Sequence, residues 1–148
     1  MSTNATIEDE VRAELDLDPR IPDPSDVAVS ADDGGLTLRG TVGSFGQRRA
    51  AINDAKKVSG VHDVYDQIKV RLLNESRRDD AEIRGIALQI LMWDAELPAE
   101  TIDVKVDDGW ITLKGDVPFQ YQSDIAFEDV ADLFGVVGVT NEIRVSTP

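Results

Sequence analysis

Two pairs of adjacent carboxylates, Asp32-Asp33 and Asp107-Asp108, are residues whose type and spacing could do chemistry. Clustered carboxylate oxygens suit a hard cation, yet neither pair lies in the ligand spacing of a calcium loop. Each pair is followed by Gly, and a tight turn selects Asp-Asp-Gly unaided because these residues tolerate the backbone it needs. The single histidine, His62, has no Cys and no second His with which to hold a metal or serve a nucleophile. A partly covered side chain beside a strand is the reading for it. Ser25, Ser30, Ser44, Ser59 and Ser123 lie outside any Gly-x-Ser-x-Gly elbow, and no Gly-rich phosphate loop precedes a helix. The expectation is no catalytic residue, no metal ligand and no cofactor: a binding protein, not an enzyme.

Charge narrows the partners. Fifteen basic side chains against twenty-nine acidic ones give a net charge of -14 in 148 residues, which repels nucleic acid and anionic lipid alike. The acids are mainly Asp and the bases mainly Arg, which fits solubility in high salt and also plain genome composition. The apolar fraction of 41% is that of an ordinary soluble domain. The longest apolar stretches, such as Ile90 to Trp93, fall far short of the roughly 20 residues a membrane span needs. The start, Met1 to Asp9, is acidic and lacks a basic residue followed by an apolar run, so the expected location is the cytoplasm, with the membrane periphery as the other option. With no cysteine, either redox compartment is compatible.

The elements that must position these residues come twice. Asp32-Asp33-Gly34-Gly35-Leu36-Thr37-Leu38-Arg39-Gly40-Thr41-Val42 returns 75 positions later as Asp107-Asp108-Gly109-Trp110-Ile111-Thr112-Leu113-Lys114-Gly115-Asp116-Val117. The register continues, with Gly60-Val61 on Gly135-Val136, and with Val64, Ile68 and Val70 on Val139, Ile143 and Val145. Each copy opens with a helix. Thr6 with Asp9 has the spacing of a capping box ahead of Ile7, Val11 and Leu15, and Asp79 with Glu82 has it ahead of Ile83, Ile86, Ala87, Ile90 and Leu91. After Pro-containing turns come two short strands, 27–31 or 102–106 and then the alternating run 36–42 or 111–117, joined by the Asp-Gly turn of a hairpin. A second helix is predicted over about 47–58 and 122–134, its Ala51, Ile52, Ala55 and Val58 facing the sheet, followed by a last alternating strand. This divides the chain into an N-terminal tail over 1–5, a domain over 6–72, a polar linker over 73–79 and a second domain over 80–147.

The order of a striped helix, a Val-x-Val strand, Asp-Gly-x-hydrophobic-Thr-Leu-x-Gly-x-Val, an Arg-containing helix and Gly-Val-x-x-Val resembles the BON domain, named for bacterial osmotically inducible and nodulation proteins. Gly40, Gly60, Gly115 and Gly135 and the turn acids match that pattern, over about Thr6 to Leu72 and Asp80 to Thr147. The resemblance implies an α+β fold, two tandem αββαβ domains each with two helices on a small mixed three-stranded sheet. It also implies a non-enzymatic role linked to osmotic or envelope stress, with phospholipid surfaces as the family's proposed ligand.

The copies differ outside the shared frame. Residues 1–74 hold nine bases and thirteen acids, net -4; residues 75–148 hold six and sixteen, net -10. Arg48, Arg49, Lys56 and Lys57 form a candidate basic patch, replaced in the second copy by Ser123, Asp124, Ala131 and Asp132. Opposite patches of this kind orient duplicated domains that pack or self-associate, and a solvated face of mixed charge is the competing reading. The second copy is more apolar, and Trp93, Trp110, Phe119, Tyr121 and Phe134 are its candidate interaction surface, since aromatics anchor interfaces. The function expected is capture of a protein partner or envelope component by that surface. The alternatives are binding to a phospholipid surface, disfavoured by the surrounding acids, and sensing of a cation or small ligand in the cytoplasm.

Overall fold

Ile7, Val11 and Leu15 recur every four residues, which puts them on one helical face, and all three are buried. In the computed structural model, which describes residues 3–73 and 77–146, they anchor the first of two αββαβ units, the chain dividing after Arg71. Unit 1 contains α1 (Asn4–Leu17), β1 (Val27–Asp32), β2 (Gly35–Val42), α2 (Phe45–Lys56) and β3 (Asp63–Val70). Unit 2 contains α3 (Asp80–Trp93), β4 (Ile102–Asp107), β5 (Trp110–Val117), α4 (Gln120–Ala131) and β6 (Gly138–Val145). Part of the expected linker, residues 74–76, lies outside the described residues.

Each sheet is mixed. β2 pairs antiparallel with β1 and parallel with β3, and β5 pairs in the same way with β4 and β6. Val27, Val29 and Ala31 alternate with exposed neighbours along β1, the pattern of a sheet covered on one face. Both helices of a unit pack on that face, against the sheet and against each other. The fully enclosed Leu36 and Leu38 of β2, and Ile111 and Leu113 of β5, lie at the centre of the two cores. Each such side chain contributes about 1.5–3 kcal/mol by leaving water.

The hairpin turns are Asp33-Gly34 and Asp108-Gly109, with positive φ at all four residues, so the second acid of each pair forms the turn while Asp32 and Asp107 end the strands before it. Gly40 and Gly115 are required sterically. Both have left-handed φ, and a Cβ would stand 2.0 Å from the carbonyl oxygen of Asp26 or Thr101, where the neighbouring strand begins.

Helix starts depart from the cap spacings. α1 begins a turn early because the Thr3 hydroxyl accepts the Thr6 N–H at 3.2 Å, so part of the expected tail is helix. Asp79 does occupy the N-cap of α3 but makes no side-chain capping bond. The first-turn Asp80 turns instead to the hairpin, its carboxylate accepting the N–H groups of Asp108 and Gly109 at 2.9 and 3.0 Å. α2 and α4 start about two residues sooner than predicted and end sooner too. Val58 and Leu133 there bond back three residues, to Ala55 and Val130, which closes the last turn before the left-handed Gly60 and Gly135. α3 buries Ile83, Ala87 and Leu91 but leaves Ile86 exposed, so its apolar stripe is wider than its buried face.

Candidate functional site

The aromatic side chains expected to form one surface in unit 2 fall into separate groups. Trp93 ends α3 with 72% of its surface exposed, beside the exposed Met92. Phe119 and Tyr121 flank the start of α4, 53% and 51% exposed, their rings stacked at 5.8 Å. The loop after α3 reaches this same helix start, where Gln122 Nε2 donates to the Glu96 carbonyl at 3.0 Å. Phe134 lies at the other end of α3, under the Arg78 guanidinium at 4.8 Å. Trp110 belongs to the sheet. Its ring covers Gly138 on β6, and its indole N–H donates to Thr140 Oγ1 at 2.7 Å. Unit 1 holds the mirror of this arrangement, Tyr65 of β3 lying against Gly35 of β2. Trp110 therefore has a structural account as the partner of a glycine across two parallel strands.

Phe119 has no such account. Its counterpart 75 positions earlier, Ser44, is the N-cap of α2 and accepts the Gln47 N–H at 3.1 Å. Phe119 stands at the N-cap of α4, where a phenyl ring has no oxygen to accept any helical N–H. Only the return bond remains, from Phe119 N–H to Gln122 Oε1 at 3.3 Å. An exposed ring thus replaces a stabilising hydroxyl; the sequence already sets Phe119 against Ser44 as a surface aromatic, but not as the N-cap of a helix.

The basic patch is partly neutralised. Arg48 turns to β3, with 2.7 and 2.6 Å contacts from its guanidinium to Asp66 Oδ2, and Lys57 lies 3.8 Å from Asp54. Lys56 is exposed and Arg49 partly buried. His62 is more exposed than expected and rests against Gly34. Asp80, Asp107 and Asp108 bring carboxylates within 4.8 Å of one another on the surface, but Asp80 already accepts two backbone N–H groups of the hairpin.

A feature the sequence reading did not single out occurs in both units. Asp18 caps the C-terminus of α1 and meets Asp54 of α2; Asp94 caps α3 and meets Asp129 of α4. Both cap residues close the same local turn, accepting the N–H two residues on, from Arg20 and Glu96. Asp54 is only 2% exposed, and Asp54 Oδ2 and Asp129 Oδ2 are enclosed without a hydrogen-bonding partner. Burial, with the opposing carboxyl adding to it, pushes Asp54 and Asp129 each up to about 7. Hydrogen bonding to the Arg20 guanidinium holds Asp18 well below the ordinary range, and bonding to Asp129 holds Asp94 below it. One proton per pair satisfies both carboxyls near neutrality.

Among the described residues no helix is long and apolar enough to cross a membrane. The BON domain family model matches twice, over residues 3–71 and 79–147. The chain is 33% identical over 125 residues to Osmotically-inducible protein Y of Escherichia coli (strain K12), covering 81% of this chain and 62% of the relative's length. Two structures of CdsD, a structural protein of the Type III secretion system of Chlamydia trachomatis, align with TM-scores of 0.40 and 0.41 at 11% and 10% identity. They span 99% of this chain and 68% and 65% of theirs, a likeness too weak to bear on function. The doubled family match agrees with the doubled αββαβ architecture, and the chain belongs to the BON domain family in two tandem copies.

Proposed function

We propose that this chain is a non-enzymatic binding module whose second domain captures a protein partner through exposed apolar side chains, Phe119 and Tyr121 at the start of α4 and Trp93 beside Met92 at the end of α3. The observation that carries the reading is Phe119: an N-cap position that held a serine in the other copy holds a half-exposed ring stacked on Tyr121. A site that gives up local stability for an exposed aromatic is where selection for binding shows against selection for folding. The equivalent places in unit 1 are Asp16, Leu17, Ser44 and Gly46, so the surface is a property of one copy. Similarity to an osmotically inducible protein supports a role in osmotic stress. A protein partner is favoured over anionic lipid because unit 2 carries the larger share of the negative charge.

The test compares the full chain with a Trp93→Ala/Phe119→Ser variant as bait in extracts of osmotically stressed cells, alongside flotation with neutral and anionic vesicles. Partners captured by the parent and lost by the variant support the reading. Equal capture by both removes it, and flotation that depends on the same two residues replaces the protein partner with a lipid surface.

A further inference from the structure

Each unit sets the Asp that caps its first helix against an Asp of its second helix, and the surroundings of the two pairs are opposite. In unit 1 the Arg20 guanidinium lies 2.7 Å from Asp18 and 3.6 Å from Asp54, and Lys57 approaches Asp54 at 3.8 Å. In unit 2 the positions of Arg20 and Lys57 are taken by Glu96 and Asp132. The charges around Asp129 come from every element that packs on α4. From the end of α3 and its following loop come Asp94 and Glu96, and from α4 itself Glu128, while Asp132 caps the C-terminus of α4. The only cation of α3, Arg84, is engaged with the Val104 carbonyl and Asp103. On the sheet, Lys114 and Glu142 pair with each other, and Asp116 and Arg144 are register partners, in positions that alternate with the residues facing the helices. Asp94 also sits at the C-terminus of α3, where the helix dipole opposes negative charge.

We propose that unit 2 carries a proton latch: a proton shared by Asp94 and Asp129 holds the end of α3 on α4, and its loss as the solution passes neutrality weakens this unit. With that proton gone, two carboxylates face each other beside further acids, and among the described residues no ion pair joins either of them to a cation as Arg20 joins Asp18 in unit 1. The sign follows from linkage. Asp129 binds its proton more tightly folded than unfolded, so the stabilisation is full in acid, declines from about pH 4 and is gone above about pH 7. Asp94 shifts the opposite way, which affects only the range below pH 4.

The chain provides its own reporter. Both tryptophans, Trp93 and Trp110, lie in unit 2, and the only histidine, His62, lies in unit 1. Urea unfolding of the full chain, followed by tryptophan fluorescence between pH 5 and 8, therefore reads unit 2 across the range in which Asp129 is pushed up to about 7. The unfolding equilibrium constant should rise about tenfold per pH unit at most from pH 5 to 7, the limit for one proton, and level off above. Asp129→Asn keeps the shape and donates a permanent hydrogen bond, so its profile should be flat. Glu96→Arg, which restores the unit 1 guanidinium, should lessen the slope. A flat profile in the parent, or an unchanged slope in Asp129→Asn, overturns the latch. Should that variant fail to fold, carboxyl carbon NMR of the unmodified chain decides: an Asp129 midpoint near 7 supports the latch, and one near 4 overturns it.

Discussion

The exchange of Ser44 and Phe119 between the two helix starts can be reversed, and the energetics follow from the structure. Phe119→Ser restores a hydroxyl at the N-cap of α4, which contributes about 1 kcal/mol. It also removes the stack on Tyr121, which is about half exposed and is therefore placed at the lower end of ring-pair values, about 0.5 kcal/mol. The net gain is about 0.5 kcal/mol, or about 2–4 °C in the melting temperature of a domain of this size. Tryptophan fluorescence isolates the effect, since both tryptophans lie in unit 2. Ser44→Phe should cost unit 1 about 1 kcal/mol and leave the tryptophan-detected transition in place. The decisive result is the combination: Phe119→Ser should raise the midpoint of unit 2 and lower partner capture. A lowered midpoint would show that the ring is needed for folding, and the argument that it is kept for binding would collapse.

Other substitutions test the frame. Gly115→Ala places a Cβ against the Thr101 carbonyl at a left-handed φ, and a loss of about 3 kcal/mol or more should appear as an early tryptophan-detected urea transition. Leu113→Ala empties a fully enclosed site and should cost about 2–5 kcal/mol in the same assay, whereas Trp93→Ala, on the surface, should stay within about 0.5 kcal/mol by far-UV circular dichroism. Asp18 is held below its ordinary range by Arg20, so its stabilisation is present above about pH 4 and lost as pH falls further; Asp18→Asn should flatten the acid limb of urea titrations read by circular dichroism.

The fold was legible because the duplication constrains the reading twice. Asp-Asp-Gly fixes each hairpin, and alternation on either side of it fixes which strand face is covered. The carboxyl pairs were not, because pattern reading treats Asp as a surface residue. Asp54 nevertheless follows Ala50 and Ala51 by four and three residues, on the buried face of α2. Its recurrence as Asp129, together with an Asp ending each first helix, was a signal available in the sequence. The role of Trp110 was hidden for a related reason. An aromatic and a glycine exchange strands between the copies, from Gly35 and Tyr65 to Trp110 and Gly138, so position 110 taken alone gains a ring while both copies keep a ring over a glycine.

The divergence between the copies has a direction. Backbone constraints are retained, as at Gly40 and Gly115, where any side chain would strike a carbonyl. Local stabilisers are lost from one copy only: the N-cap hydroxyl of Ser44 gives way to Phe119, and the cations beside the carboxyl pair give way to Glu96 and Asp132. Both losses fall on the helices of unit 2, and the first is worth about 1 kcal/mol. Local stability is expected to be lowest where a protein must adapt to a partner, so the binding surface proposed for unit 2 predicts that α3 and α4 are the least stable helices of the chain. Amide exchange resolved by peptide, corrected for the intrinsic effect of pH, should then show α3 and α4 opening before α1 and α2. Equal protection of the four helices above neutrality would separate the two losses from any shared purpose.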